Sequence, residues 1–522
     1  MRAAVILVVL FLAVAMSCAE TDSSAIIFDD TRIHEYELQF YCTDWEDSLI
    51  YYKSLPDEEY MPARMLYRIS SADSIVFDSI GVRYKGNSSY AFAGASPKKP
   101  FKFRFDKYID GRRFFGVKKL NFSNGAKDPT MMREKISYDI LSRYMAAPRA
   151  AFATISIEGE LIGLFTQVEQ VDKTFLSRYY DDNDGNLFKA GDNGATLLYT
   201  NANQSSYEDS YELKTNETEN DWSSFMQMLY KLNQSDDAEF VNQVGGVFAL
   251  DNVCRYLAFN MVFSNFDSYT GSGRNFYLYD DPSSGTFVLI PWDLNLSFGG
   301  FTNSWNVYTN DAVVVSNLDE RPLNRRIIEN DMLRKTYLGY MKEMLDGPAM
   351  PDSIMARTEV LKKLLDETVQ NDSNKLHTYD EFVKNIDTTI SIADGIVRSK
   401  IPGLKSFCVQ RGEELRAQLE EYLPVTAPYT VVSGNRKLTI RRIRCAGKKV
   451  SLSFLNGNYG NTVKLELFNA GGRKILSFGK VAVGTGDREV ALYFNVPCGG
   501  LYLLKMTMNS GETISRSFMV IQ

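Results

Sequence analysis

The stretch 248–293 constrains the fold more strongly than any other part of the sequence. An apolar stripe at helical spacing, formed by Val253, Leu257 and Met261, predicts an amphipathic helix. A β-hairpin follows, because two strand-like runs flank a turn rich in Asp, Pro, Ser and Gly at 280–285. The segment therefore predicts a helix that leads through a short loop into an antiparallel ribbon.

Three polar side chains fall at one end of this ribbon. Asp267 lies in the loop before the hairpin, Asn275 begins its first strand and Asp293 follows its second strand. If the turn centres near Ser283, Asn275 lies opposite Pro291 in the antiparallel ladder. Because paired strands lie about 5 Å apart, we expect Asp267, Asn275 and Asp293 to converge.

Two carboxylates and a carboxamide are the hard oxygen ligands that suit Mg²⁺ or Mn²⁺ carrying phosphates. Phosphoryl-transfer enzymes use such a set, with one aspartate for the acceptor and an Asn and an Asp for the metal. Histidine is limited to His34 and His377, which disfavours Ser-His-Asp catalysis and multi-histidine zinc sites. Aspartate and asparagine also fill turns and cap helices, so the expected convergence, and not any single residue, carries the hypothesis.

Basic residues upstream are candidates for phosphate contacts. Lys85 opens the loop 85–89, whose Gly, Asn and Ser residues offer backbone amides that could cradle phosphate, although a structural turn explains the same pattern. Lys98 and Lys99 precede the strand-like run 101–105, where they pair with phosphate oxygens or simply face solvent.

Glu169 and Asp172 lie where a predicted strand leads into a helix. In a nucleotide enzyme with two lobes this position would be the connecting hinge. A strand-end acid followed by a helix cap accounts for the pair equally well.

The rest of the chain predicts an α+β protein with more than one domain, as its 522 residues require. A helix is expected to begin at Asp128-Pro129, since aspartate suits the N-cap and proline the first helical position. Residues 320–424 have mostly helical patterning, whereas short alternating strands and glycine turns predict a β-sandwich over 425–522.

The first residues predict export. A basic start and a short apolar run indicate a signal peptide over 1–18. Cys18 is either a lipidated N-terminus or part of an ordinary cleavage site, so a membrane would be reached only through that lipid anchor. Cys445 and Cys498 could pair, but the sequence does not establish it. The net charge of −7 offers no attraction for nucleic acid.

Taken in order, several segments resemble the spore-coat protein H (CotH) kinase family over roughly residues 35–420. These segments are GVRYKGNSS, KKPFKFRFDKY, KKLNFSN, DPTMMREKISYDIL, IEGELIGLFTQVEQVDKTFL, GNLFKA, SNFDSYTGSGRNFYLY and VLIPWDLNLSFG. The resemblance implies an atypical protein-kinase-like fold with two lobes, over 24–170 and 171–424, which binds ATP and transfers phosphate to protein hydroxyls.

The resemblance also implies roles for individual residues. Asp267 would be the catalytic aspartate, and Asn275 and Asp293 would hold the metal. Lys99 is the first candidate for the lysine that binds the nucleotide phosphates, with Lys98 and Lys85 close behind. Glu169 would lie near the adenine-side hinge.

One position departs from the family pattern. Where the family often has Trp-Asp-x-Asp, this chain has Asn295 after Asp293, and the lost carboxylate weakens a second metal position. The segment 435–522 is similar to C-terminal sorting domains of the Bacteroidetes type IX secretion system. Two functions are therefore weighed, an exported phosphotransferase acting on exported proteins and an inactive surface binding or adhesion protein that reuses the fold.

Overall fold

The computed structural model describes residues 22–56, 59–70, 72–395 and 397–423, and strands between 439 and 520. The expected signal peptide over 1–18, which includes Cys18, lies outside the described residues. The pairing of Cys445 with Cys498 depends on Cys498, which also lies outside them. Cys42, Cys254 and Cys408 are free thiols. No helix in the described part of the chain has both the length and the apolar character needed to cross a membrane.

The first part of the chain forms a closed barrel with the strand order β1-β2-β3-β4-β5-β7-β6. Its strands are Ile33–Phe40 (β1), Met61–Arg68 (β2), Ser74–Tyr84 (β3), Phe101–Arg104 (β4), Lys119–Ser123 (β5), Ala150–Ile157 (β6) and Glu160–Glu169 (β7). Alternate residues of β1 and β2 are buried, as a period of two predicts. Aromatic rings fill the interior, among them Phe103 and Phe122 with ring centroids 4.4 Å apart.

Three helices accompany these strands: Trp45–Ser54 (α1), Ser88–Phe92 (α2) and Arg133–Leu141 (α3). The predicted start of α3 at Asp128-Pro129 is wrong, because the helix begins at Arg133. The Asp128 carboxylate instead accepts bonds from the Thr130 and Arg133 amides, 3.0 and 2.8 Å away, and so closes the turn that precedes the helix.

The second part is mainly helical, as predicted for 320–424. Its helices are Lys173–Tyr179 (α4), Ser223–Gln234 (α5), Phe240–Gly245 (α6), Leu250–Val262 (α7), Pro322–Glu329 (α8), Asp331–Leu345 (α9), Pro351–Asn371 (α10), Tyr379–Asp387 (α11) and Leu404–Tyr422 (α12). Short 3-10 helices lie at Ser23–Ile26, Gln204–Ser206 and Leu318–Glu320. The helix predicted from the stripe of Val253, Leu257 and Met261 is confirmed as α7.

A sheet with the order β11-β10-β8-β9 packs among these helices. The strands of this part are Leu187–Ala190 (β8), Tyr211–Leu213 (β9), Phe276–Asp281 (β10), Thr286–Pro291 (β11), Ile390–Asp394 (β12) and Val397–Ile401 (β13). The last two pair with each other as a separate hairpin.

Strands continue in the C-terminal segment, and the described part of the chain is α+β as predicted. They are Thr439–Ala446 (β14), Lys449–Leu455 (β15), Thr462–Asn469 (β16), Lys474–Ala482 (β17), Leu492–Asn495 (β18), Gly500–Met508 (β19) and Thr513–Val520 (β20). They pair in the orders β14-β15-β18 and β17-β16-β19-β20.

A buried ion pair joins the barrel to the helical part. Lys98 Nζ lies 2.6 Å from Asp372 Oδ2, and the two side chains are 3% and 1% exposed. The same carboxylate oxygen accepts a bond from the Leu164 amide of β7, 3.1 Å away. Because a buried charge is tolerated only when it is paired and hydrogen-bonded, this contact fixes the end of α10 against the barrel.

Candidate functional site

The loop between α7 and β10 carries Asp267. Helix α7 ends at Val262, and the chain turns sharply at Ser264, whose φ is 43°. A β-carbon at Gly271 would lie 2.0 Å from the Phe266 carbonyl oxygen, so only glycine fits there. The tight loop brings the chain back to Asn275 directly beside Asp267.

The hairpin forms as predicted, but its register is shifted by one residue. Phe276, and not Asn275, lies opposite Pro291. The reason is the length of the turn: Asp281 pairs with Thr286, which leaves an even number of residues in the loop and moves its centre beyond Ser283. Asn275 precedes the strand and its carbonyl accepts a bond from the Trp292 amide, 3.2 Å away.

The expected convergence survives this correction. Asn275 Nδ2 donates to Asp267 Oδ2 at 3.0 Å and to the Asp267 carbonyl at 2.8 Å. Asp293 follows β11. Burial is the largest cause that raises the pKa of the Asp293 carboxyl, and the nearby Asp267 carboxylate acts in the same direction. Asn275 and Asp293 both have left-handed backbones, with φ of 60° and 51°, a conformation that is rare for residues other than glycine and is concentrated at functional sites.

Lys85 is the predicted lysine that the structure brings to these carboxylates. It follows β3, and its Nζ lies 5.4 Å from the centre of the Trp292 ring. Burial lowers the pKa of the Lys85 ammonium, and the carboxylates of Asp293 and Glu134 act in the opposite direction. Lys85 therefore lies within electrostatic reach of an acid from the hairpin and another from α3.

Lys99, the first candidate from the sequence, is held elsewhere. Its ammonium donates to the Gly94 and Tyr90 carbonyls and lies 4.5 Å from the centre of the Tyr90 ring. Burial lowers the pKa of Lys99, and the carboxylate that opposes this shift is Glu46. Lys98 is occupied by Asp372, as described above, so neither lysine is brought to Asp293.

Glu134 is a site residue that the sequence analysis missed. It lies in the first turn of α3, is 3% exposed, and its Oε2 has no hydrogen-bond partner in the described structure. One turn further on, the Tyr138 hydroxyl accepts a bond from the Asp293 amide at 3.0 Å. An acid in the first turn of a helix is ordinary, so no local signal marks Glu134, although the segment containing it was among those that resemble the family.

Glu169 lies at the end of β7, where the barrel leads to α4, but its carboxylate is occupied. It forms ion pairs with Arg149 at 2.8 Å and Arg178 at 2.5 Å. The neighbouring Gln170 is the residue that contacts the hairpin, since its Nε2 donates to the Tyr277 hydroxyl at 3.3 Å. Asp172 caps α4 through the Thr174 amide at 2.9 Å.

The environment of Glu134 predicts a pH dependence of stability. Burial raises the pKa of Glu134 to about 8, the Asp293 carboxylate acts in the same direction, and Lys85 opposes both. The folded protein therefore keeps a proton that the unfolded chain loses above its ordinary pKa near 4.5, and stability falls as the pH rises from that value toward 8. Between pH 5.5 and 8.5, we expect the free energy of unfolding to fall by about 3 kcal/mol more in the wild type than in Glu134→Gln.

Urea denaturation at the two pH values measures this difference. Glu160→Gln is the matched control, because Glu160 is exposed at the start of β7 and its variant should follow the wild type. Equal pH profiles for Glu134→Gln and the wild type would contradict the prediction.

The residues present fit a divalent cation. Asp293 Oδ1 is buried and has no hydrogen-bond partner in the described structure. Asn275 uses its Nδ2 to bind Asp267, which leaves its Oδ1 available to a cation. No group of three or more His, Cys, Asp or Glu side chains in the described residues forms a metal cluster, so phosphate oxygens and water would complete the coordination, as is usual for Mg²⁺.

Comparison with known proteins identifies the family of the chain. The family model described as CotH kinase protein matches residues 82–415, which is more than half of the chain and includes Lys85, Glu134, Asp267, Asn275 and Asp293. The inner spore coat protein H of Bacillus subtilis (strain 168) is 26% identical over 348 residues, which cover 64% of this chain and 90% of that protein. The resemblance predicted from the sequence is confirmed, and the chain belongs to the CotH kinase protein family.

Proposed function

We propose that this chain is an exported, kinase-like phosphotransferase that moves the γ-phosphate of ATP to Ser or Thr hydroxyls of an exported protein. Membership of a kinase family supports the reaction class. The single observation that carries the proposal is the contact of Asn275 with Asp267 beside the buried carboxylate of Asp293, within electrostatic reach of Lys85.

Each of these side chains has a role in the proposed reaction. Asn275 Oδ1 and the Asp293 carboxylate would hold Mg²⁺ or Mn²⁺, which when bound neutralises the charge of the phosphates. Lys85 would bind phosphate oxygens, and a carboxyl oxygen of Glu134 would accept a hydrogen bond from its ammonium. Asp267 would orient the acceptor hydroxyl and take its proton.

The proposed architecture follows from these roles. The barrel, over 24–170, would be the N-terminal lobe and 171–424 the C-terminal lobe, with the nucleotide bound between them. Glu169, fixed by two arginines, would support the hinge without contacting adenine, and Lys99 would stabilise the barrel.

We also propose an extracytoplasmic location. The segment 1–18 would direct export, with Cys18 either lipidated or lost on secretion. The strands of 425–522 would form a β-sandwich that serves as a sorting domain or a surface attachment.

A catalytically inactive surface binding or adhesion protein is the second candidate. Asn295 favours it, because the amide replaces a carboxylate that the family often has at this position and so weakens a second metal position. The scarcity of ATP outside the cytoplasm points the same way.

Nucleotide binding and phosphate transfer separate the two candidates. For the kinase-like function we expect ³²P incorporation from γ-labelled ATP into casein or the chain itself with Mg²⁺ or Mn²⁺, and its loss on chelation with EDTA. Mg-ATP at about 100 times its dissociation constant should also stabilise the fold by about 2.7 kcal/mol. Neither incorporation nor a thermal shift at millimolar Mg-ATP would contradict the proposal and favour the inactive protein.

A further inference from the structure

Three consecutive carbonyls in the loop 267–275 are bound from outside the loop. Arg321 Nε donates to the Tyr269 carbonyl at 2.7 Å, and Arg321 Nη2 donates to the Gly271 carbonyl at 2.6 Å. Between them, Asn317 Nδ2 donates to the Thr270 carbonyl at 2.9 Å. Two side chains from the segment before α8 thus hold the middle of the loop.

The guanidinium of Arg321 donates its hydrogen bonds to these carbonyls and does not form a close ion pair with a carboxylate. Its side chain is buried, and its remaining Nη1 donates to the Glu320 carbonyl at 3.0 Å. The Glu320 carboxylate lies 3.8 Å away and is 72% exposed, so it adds little. A buried cation is costly unless hydrogen bonds satisfy it, and here the loop carbonyls supply much of that satisfaction.

The loop contains turns but no helix or strand, so its middle depends on a few turn bonds and on these external donors. Three backbone bonds close its turns: the Gly271 and Gly273 amides donate to the Ser268 carbonyl at 3.2 and 2.9 Å, and the Ser272 amide donates to the Phe266 carbonyl at 2.9 Å. Gly273 has a φ of 73°, and a β-carbon there would lie 3.1 Å from Arg321 Nη2. The close approach of the guanidinium therefore depends on glycine at this point.

The Tyr269 side chain ties the same loop to the start of α8. Its hydroxyl accepts a bond from the Leu323 amide at 3.1 Å and donates to the Thr196 carbonyl at 3.0 Å. Its ring meets the Phe276 ring of β10 edge to face, with centroids 5.5 Å apart. The loop, the first turn of α8 and the hairpin are thereby joined into one unit.

We infer that Arg321 and Asn317 are positioning residues, which hold the loop so that Asp267 and Asn275 keep their mutual contact. Neither residue is assigned a contact with substrate. The inference rests on the proposed function, since its effect on turnover passes through Asp267 and Asn275. A shift of about 1 Å in such groups can cost 10²-fold in rate, so small changes in the donors should be measurable.

Arg321→Lys in the full-length chain tests the inference, because lysine keeps the charge but cannot serve two carbonyls in a fixed geometry. We expect kcat for phosphate transfer to fall about 10- to 100-fold with a KM for ATP within about 3-fold of the wild type. The affinity for Mn²⁺ in the presence of a non-hydrolysable ATP analogue, measured by EPR, should fall about 5-fold as Asn275 is displaced.

Arg326→Lys is the matched control. Arg326 is also buried and lies on α8, where its Nη2 donates to the Ser235 carbonyl at 2.6 Å and its Nη1 pairs with Asp237. Both of these partners lie outside the loop 267–275. The Arg326→Lys variant should therefore lose about as much thermal stability as Arg321→Lys, while its kcat and Mn²⁺ affinity stay within about 2-fold of the wild type. Asn317→Ala, which removes one donor without removing a charge, should lower kcat about 5-fold.

The outcomes separate this inference from the proposed function. If the wild type transfers phosphate and Arg321→Lys and Asn317→Ala do so equally well, the inference is overturned and the proposed function stands. If the wild type neither transfers phosphate nor binds Mn²⁺ with the analogue, both are overturned. A selective loss of kcat in the two loop variants, absent from Arg326→Lys, supports the inference.

Discussion

Replacing Asp267 with asparagine is expected to lower phosphate transfer by about 10³-fold while the fold is retained. Asn275 Nδ2 donates to the Asp267 carbonyl and to its Oδ2, and the oxygen of an amide at position 267 could still accept the second bond. The substitution therefore removes the negative charge and the proton acceptor, and little else. Initial rates of ³²P incorporation at saturating Mg-ATP, with a thermal melt of each protein, measure the effect.

Asp280→Asn is the matched control for this experiment. Asp280 lies on the same hairpin, near its turn, and pairs with Phe287 at the end remote from Asn275. The same chemical change there should leave the rate within about 3-fold of the wild type. A wild-type rate in Asp267→Asn would exclude catalysis through this carboxylate and would strengthen the case for an inactive surface protein.

The core of the candidate site could be predicted because it is local in sequence. Asp267, Asn275 and Asp293 lie within one helix, loop and hairpin, whose geometry follows from hydrophobic periodicity and turn composition. Even the error of one residue in the register has a local cause, since it depends on the number of residues in the turn. A hairpin brings its ends together whichever of two adjacent registers it adopts.

The lysine could not be chosen in the same way. Lys85 precedes the short helix α2, whereas Lys98 and Lys99 follow it. The sequence offers each of the three as an exposed cation. Which of them meets Asp293 depends on the closure of the barrel and on the docking of α3. The buried pairing of Lys98 with Asp372, far along the chain, is a tertiary contact that no local pattern contains.

Glu134 was missed for a related reason. The sequence predicts a helix here, but the predicted start at Asp128 would have placed Glu134 well inside that helix instead of in its first turn. The bonds from the Thr130 and Arg133 amides to Asp128 form a turn, and the helix begins only after it. Only the folded structure shows that Glu134 is buried within electrostatic reach of Lys85. Burial of a charged residue is set by partners that are distant in sequence.

Replacing Arg133 with alanine is expected to destabilise the fold by about 3–5 kcal/mol. Arg133 is fully buried, and its Nη1 lies 2.5 Å from Asp128 Oδ1. Its Nη2 donates to Asn385 Oδ1 at 3.0 Å and to the Pro402 carbonyl at 2.5 Å. Removing the guanidinium leaves the buried Asp128 carboxylate without its ionic partner and opens a cavity, and both effects disfavour the native state.

Urea denaturation followed by tryptophan fluorescence measures this loss of stability in the part of the chain that contains Arg133 and the candidate site. The chain has four tryptophans, which all precede residue 424: Trp45, Trp222, Trp292 and Trp305. The signal therefore does not depend on the C-terminal strands. Arg143→Ala is the control, because Arg143 is exposed shortly after α3, and its loss should change the free energy of unfolding by no more than about 0.5 kcal/mol.

The Arg133 variant also connects stability to the site. Arg133 anchors α3 to α11 and to the segment before α12, and the next residue along the helix is Glu134. If the anchor fixes Glu134 near Lys85, Mg-ATP should stabilise Arg133→Ala less than it stabilises the wild type, even at temperatures where both are folded. A loss of stability no greater than that of Arg143→Ala would mean that Asp128 is satisfied without the guanidinium, and α3 would then be held by its apolar face and by the ion pairs of Lys135 with Asp30 and of Asp139 with Arg357.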